Sequence, residues 1–322
     1  MPKVSVCIPT YNTARYLPEA IESVLAQEFS DYELIICDNA STDETPELCR
    51  KYDDHRIRYV RYEQLVNQGG NWNRCLQLAR GEYVALLHSD DKYLSGFLEQ
   101  RVRALDENPE VGLAFGAVRL IDTEGVEIGK QTLGERPFVA PASEFLAELL
   151  FGCVISPVSP MVRRSCYEVV GRFNDERLWG IDWEMWLRLS ARFGVMYSPT
   201  VTAAYRMHGT SGTSVGLLEA KNGAEDLQVL ESMFREIGER PELARFAALR
   251  RKAYRKLALR TLYAAGYNCE HGNVKGVKQN LRFVIRTDWL LVSRPSVWAL
   301  WLSCYLGSWV YSAFRQIRPI QS

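Results

Sequence analysis

The chain has 322 residues, of which 47% are hydrophobic and 24% charged, with a formal net charge of zero. That is an ordinary globular composition, which argues against a disordered chain and leaves material for one large core or two domains. Its eight cysteines are scattered without a C-x-x-C pair and several sit in apolar runs, which argues against a zinc site and for free thiols in a reducing, cytoplasmic compartment.

Val4 to Ile8 is a short apolar, β-branched run, so the N-terminus reads as a strand and not as a secretory signal. Asn12 and Thr13 offer caps, and Leu17, Ala20, Ile21, Val24 and Leu25 recur at helical spacing. Glu33 to Cys37 gives a second strand, and Ser41-Thr-Asp-Glu44 has the form of a capping box opening a helix toward Lys51. Arg56 to Val60, a segment from about Gly70 to Ala79, and Tyr83 to Leu87 continue as strand, helix and strand. This alternation predicts an α/β fold: a mostly parallel sheet with helices on both faces and right-handed crossovers.

A helix with Leu98, Val102 and Leu105 follows, then a strand from Val111 to Ile121 that hairpins at Asp122-Thr-Glu-Gly125. Ser143 is expected to cap a helix bearing Phe145, Leu146, Leu149 and Leu150, and Ser159 to Val162 to form a strand. A helix begins near Gly180 with Asp182 in its first turn, and Val201 to Tyr205 is strand-like. From about Leu217 the chain reads as helical, with breaks near His271-Gly-Asn273 and Arg294-Pro295. We therefore expect two domains, 1–215 and a helical, basic 216–322.

From Arg240 onward, fifteen Lys and Arg stand against three acids, a surplus of 12 that the rest of the chain must balance. Ser296 to Phe314 carries no charge over nineteen residues, long enough to span a bilayer, but its serines, glycines and Trp/Tyr residues favour an interfacial or packed helix. With an Arg/Lys-rich helix expected from Arg245 to Arg260, this region is read as docking on an anionic membrane surface, packing on the first domain or forming a homodimer. No nucleic-acid module accompanies the basic residues, so nucleic acid is not an expected partner.

In α/β sheets ligands gather beyond the carboxyl ends of the strands, where helix N-termini point at the same crevice. Here those ends read Pro9-Thr-Tyr-Asn12, Asp38-Asn-Ala-Ser-Thr-Asp43 and His88-Ser-Asp-Asp91, polar each time and acidic in the last two. Adjacent ionised carboxylates repel, so Asp90 and Asp91 are either a site for a hard divalent cation or an Asx-turn or helix N-cap for the following segment. The acids Asp182 and Glu184 are on their own consistent with helix-dipole pairing in a first turn, and Trp183, Trp186 and Leu187 with an apolar helix face.

Together these segments resemble family 2 glycosyltransferases. The resemblance runs through Val4-Ser-Val-Cys-Ile-Pro-Thr-Tyr-Asn12, Ile36-Cys-Asp-Asn-Ala-Ser-Thr-Asp-Glu-Thr45, Asn67-Gln-Gly-Gly-Asn-Trp-Asn-Arg74, Gly81 to Asp91, Gly180-Ile-Asp-Trp-Glu-Met-Trp186 and Tyr205-Arg-Met-His208. It covers about the first 215 residues and implies the GT-A fold, a Rossmann-like mixed, mostly parallel sheet flanked by helices, with a C-terminal helical extension outside it. It implies that Pro9, Thr10 and Tyr11 pack on a nucleotide base, that Asp38 holds the base or ribose, and that Asp43 closes that loop. Asn71 and Arg74 match positions approaching the nucleotide and its diphosphate, Asp90 a ribose or donor-sugar contact, Asp91 a ligand of Mg²⁺ or Mn²⁺, and His208 a metal ligand or diphosphate contact. The family pattern at this strand end is Asp-x-Asp-Asp, and His88 occupies its first position. Asp182 matches the general base of an inverting transfer.

The implied activity is metal-dependent sugar transfer from a nucleotide-sugar donor, a UDP-sugar first, to a glycan or lipid-linked acceptor in surface polysaccharide synthesis. The implied location is cytoplasmic, peripheral on the inner face of the membrane. A nucleotidyltransferase would need a Gly- and Lys-rich phosphate loop that Pro9-Thr-Tyr-Asn12 does not provide. An inactive nucleotide-binding scaffold would keep His88 but not require Asp90, Asp91 and Asp182.

Overall fold

In the computed structural model, which describes residues 1–208, 220 and 222–317, the chain divides into two units. The first comprises Met1–Leu149 and Cys153–Met207; the second comprises Leu150–Gly152 and the chain from His208 onward.

The first unit is built on one sheet. Its strands are β1 (Val4–Thr10), β2 (Tyr32–Asn39), β3 (Ile57–Tyr62), β4 (Tyr83–Leu86), β5 (Lys92–Tyr93), β6 (Val111–Ile121), β7 (Glu127–Gln131), β8 (Phe138–Ala140), β9 (Met161–Arg163) and β10 (Gly194–Arg206). They lie in the order β3-β2-β1-β4-β9-β6-β10-β5, with β7 on β6 and β8 on β10. β3, β2, β1 and β4 pair in parallel, as do β6 and β10, while β9 runs antiparallel between β4 and β6. Two reversals through β9 restore the direction, so β1, β2, β3, β4, β6 and β10 all point the same way. Their carboxyl ends therefore share one edge, which is the geometry that gathers a ligand site.

The helices of this unit are α1 (Leu17–Leu25), α2 (Thr45–Cys49), α3 (Gln68–Leu78), α4 (Phe97–Asp106), α5 (Leu146–Leu149), α6 (Arg164–Val170) and α7 (Ile181–Ser190). Every residue of β1 is buried, as a strand covered on both faces requires. Val6, Ile8, Leu34 and Ile36 join Leu17, Ile21 and Val24 of α1 in one core cluster. α7 begins at Gly180, whose φ of +67° is the left-handed conformation that glycine adopts without strain.

Several local expectations are corrected. Ser41 does not cap α2: its hydroxyl accepts from the Asn12 amide of another loop, and the helix starts at Thr45 with Glu44 at its cap. The helix expected from Ser143 shrinks to the turn α5, because Ser143 takes φ +67° and its amide donates to the Ser190 carbonyl. The strand placed at Ser159–Val162 shifts to Met161–Arg163, since the Ser159 amide and hydroxyl close a turn on the Ser156 carbonyl.

The second unit is helical: α8 (Asn222–Glu239), a 3-10 stretch Pro241–Leu249, α9 (Arg250–Glu270), α10 (Val274–Thr287), a 3-10 stretch Trp289–Ser293, α11 (Pro295–Leu306) and α12 (Trp309–Ile317). The helix expected over Arg245–Arg260 begins only at Arg250, because Leu243 and Phe246, three residues apart, are buried on the eclipsed face of a 3-10 turn. Ala258, Leu262, Val277, Leu281, Val284, Leu291, Val297 and Leu300 form its core. The uncharged run is split at Gly307, with φ +99°, and among the described residues no helix is long and apolar enough to cross a membrane.

Candidate active site

The β1–β2 pairing sets Thr10 opposite Asp38, so the loops leaving these strands run side by side. Asn12, at φ +53°, accepts from the Thr42 amide at 2.8 Å, and its own amide donates to Ser41 Oγ at 3.0 Å. Asp43 accepts from the Ala14 amide at 3.0 Å and the Thr45 amide at 3.1 Å. Burial would raise its pKa, but hydrogen bonds from Thr45 and Ala14 outweigh this and hold the carboxyl below its ordinary value. Asp38 is fully buried and accepts from the Ser41 amide at 2.8 Å and the Tyr59 hydroxyl at 2.6 Å. Pro9 and Thr10 are buried at the strand end, whereas Tyr11 is 44% exposed.

α3 adds Asn71 and Arg74. The Asn71 side-chain amide donates to the Cys37 carbonyl at 3.1 Å, leaving its buried Oδ1 without a hydrogen-bond partner. Arg74 donates to Asn39 Oδ1 and the Gln64 carbonyl, and its Cζ lies over the Tyr62 ring, 4.0 Å from the centroid, so the guanidinium is braced.

At the end of β4 the chain turns, the Asp91 amide donating to the His88 carbonyl. The side chains of His88, Asp90 and Asp91 each offer a ligand atom, and these lie within 4.8 Å of one another. His88 Nδ1 is 3.7 Å from Asp91 Oδ2, and Trp72 of α3 stacks on the imidazole at a centroid distance of 5.3 Å. Asp91 is 1% exposed; its Oδ1 accepts from the Arg206 amide at 2.8 Å, while Oδ2 has no hydrogen-bond partner. Burial, then the neighbouring Asp90 charge, push the Asp91 carboxyl well above the usual carboxylate range. Burial pushes the His88 imidazole down, with Asp90 opposing. A buried carboxylate oxygen with no hydrogen-bond donor, with a second carboxylate and a ring nitrogen in reach, is a donor set that a divalent cation such as Mg²⁺ or Mn²⁺ would satisfy chiefly through the oxygens.

Arg206, the last residue of β10, lies within the segment Tyr205-Arg-Met-His208, whose sequence assigns it no role. It is buried, and its Nε donates to the Asp90 carbonyl at 2.8 Å, its guanidinium also reaching Glu19 and the carbonyls of Asp122 and Thr123. It fixes the acidic turn from behind. No local pattern announces this, because its partners stand 83 to 187 positions away.

Asp182 lies in the first turn of α7, half-buried, with the Cys153 thiol donating to Oδ2 at 3.9 Å. Glu184 is instead engaged by Arg177 at 2.8 Å. Trp183 and Trp186 are buried, Trp183 donating to the Leu149 carbonyl, which is the apolar face expected of that helix. His208, half-buried two residues beyond β10, falls in the second unit.

The family model described as glycosyl transferase family 2 matches residues 5–171. The chain is 27% identical over 186 residues to the Escherichia coli enzyme named UDP-Glc:alpha-D-GlcNAc-diphosphoundecaprenol beta-1,3-glucosyltransferase WfgD, covering 58% of this chain and 69% of that one. Among solved structures, residues 1–349 of Staphylococcus aureus TarS in complex with UDP-GlcNAc superpose with a TM-score of 0.63 at 17% identity, over 99% of this chain and 93% of that one. The mannosyltransferase PcManGT from Pyrobaculum calidifontis, in complex with GDP-Man and Mn²⁺, gives a TM-score of 0.58 at 17% identity, over 99% of this chain and 88% of that one. At such identities the structural matches establish the shared fold, GT-A as expected.

Proposed function

The chain belongs to glycosyl transferase family 2, and from that premise we propose that it moves a sugar from a nucleoside-diphosphate donor to an acceptor hydroxyl with inversion. The observation that carries this reading is the buried, unpartnered Asp91 Oδ2 beside His88 Nδ1 and Asp90 at the end of β4. Asp91, with His88 in place of the usual first carboxylate, would hold Mg²⁺ or Mn²⁺, and His208 is a further proposed ligand or diphosphate contact. The bound cation would supply positive charge to the departing diphosphate.

Pro9, Thr10 and Tyr11 take the base in this reading, with Asp38 toward the base or ribose and Asp43 closing the loop. Asn71 and Arg74 serve the nucleotide and its diphosphate, and Asp90 the ribose or donor sugar. Asp182 removes the proton of the acceptor hydroxyl as that oxygen bonds to the anomeric carbon. The bond from the anomeric carbon to the diphosphate oxygen breaks, its electron pair leaves with the nucleoside diphosphate, and the configuration inverts. The named donor and acceptor of the E. coli relative support a UDP-sugar and a glycan or lipid-linked acceptor in polysaccharide or glycoconjugate synthesis.

The test is a screen of nucleotide sugars for binding and for release of nucleoside diphosphate, with and without Mn²⁺. One donor hydrolysed only with the metal supports the proposal. A folded protein that binds no nucleotide sugar under either condition overturns it.

A further inference from the structure

The second unit carries a surface that the transfer chemistry does not use. On α10, Lys275, Lys278, Arg282 and Arg286 recur at helical spacing along one stripe, opposite the buried Val277, Leu281 and Val284. The stripe lines a cavity of about 630 Å³. No acid occurs between Glu270 and Asp288, and none of the four cations has an ion-pair partner among the described residues.

Beside it, α11 turns a bulky apolar face to solvent. Trp298, Trp301, Leu302, Tyr305 and Leu306 share that face and each is at least 40% exposed, while Val297, Leu300 and Ser303 are buried on the other. Trp309, at the start of α12, is exposed as well. A soluble surface seldom displays so contiguous a patch without a partner. The Lys278 ammonium lies 4.9 Å from the Tyr305 ring centroid, so the cationic stripe and the aromatic face are one continuous surface.

We propose that α10 and α11 form a docking surface for an anionic lipid bilayer. The cations take headgroup phosphates, and the Trp, Tyr and Leu side chains seat at the boundary between headgroups and acyl chains. Charge complementarity selects this occupant. A second copy would present the same unneutralised cations, and a polyanion alone would leave the Trp and Leu face uncovered; an anionic bilayer satisfies both halves. The proposal concerns the second unit alone and stands independently of the transferred sugar.

The test is flotation of the full chain with vesicles of phosphatidylcholine, alone or mixed with phosphatidylglycerol. Binding is expected to the mixed vesicles, to weaken as salt rises, and to fall about tenfold or more in Arg282→Gln/Arg286→Gln. Trp298→Ser/Trp301→Ser is expected to weaken it about tenfold even at low salt. All four positions are exposed or half-exposed; the thermal midpoint and donor hydrolysis of each variant, read in parallel, register a folding defect, and salt release of the unmodified chain tests the charge term without substitution. Absence of flotation, or equal flotation of the unmodified chain and both variants, overturns the proposal. So does a stable dimer in light scattering that the Trp variant dissociates, since the face would then be a subunit interface.

Discussion

Asp38 and Asp43 lie in paired loops where every carboxylate oxygen has a donor from the chain itself, whereas Asp91, at a neighbouring strand end, keeps one buried oxygen with none. The first arrangement already has a donor from the chain for each oxygen and braces the loops beside β1 and β2, so that the proposed nucleotide contact of Asp38 would add to these hydrogen bonds. The second leaves a desolvated acceptor that folding alone does not satisfy, the kind of cost that persists where a partner from outside completes the group. Loss of an internally satisfied carboxylate should therefore cost stability, and loss of an open one should cost function.

The largest expected effect lies on the functional side. Asp182→Asn keeps the size of the side chain but removes the proposed base, so transfer should fall about 10²–10⁴-fold with nucleotide affinity unchanged in calorimetric titration. Full activity in this variant would remove Asp182 from the mechanism. Next is Asp38→Ala, which strips acceptors from the Ser41 amide and the Tyr59 hydroxyl and should cost about 2–4 kcal/mol in chemical unfolding. Unchanged stability with lost nucleotide binding would break the comparison by moving Asp38 to the open class.

The smallest effect is that of Asp43→Asn, and it carries a sign. Asp43 is held below its ordinary 3.8 in the folded protein, so its contribution is present above that pH and lost as pH falls through the lowered value. The parent chain should melt above Asp43→Asn at neutral pH, and the gap should close in acid. A gap that widens in acid would contradict the hydrogen bonds from Ala14 and Thr45.

Much of this was legible in the sequence where structure is local. β1 to β4 and their helices follow from periodicity, and the polar residues at the strand ends mark the shared edge. What escaped depends on distant partners. The capping-box reading of Ser41 failed because Asn12, in another loop, claims its hydroxyl. β10 was seen only in its second half, since its pairing with β6 is interrupted between Ser198 and Ala203 and the first half lacks a clear alternation. β5 has two residues and exists only through its pairing with β10. His88 reads in sequence as a missing carboxylate; in space it is a ring nitrogen facing Asp91 and walled by Trp72. The motifs thus mark a candidate site, while Arg206 and Trp72, which brace its acidic turn and its imidazole, needed the fold.

The most direct measurement is a Mn²⁺ titration followed by thermal unfolding, with and without UDP, on the parent chain and Asp91→Asn. Asn retains an acceptor for the Arg206 amide, so the metal-free stability should be unchanged or slightly higher. Mn²⁺ at a hundredfold excess over its dissociation constant should stabilise the parent by about 2.7 kcal/mol and strengthen UDP binding, and both responses should vanish in Asp91→Asn. An equal Mn²⁺ response in the two proteins would contradict the account.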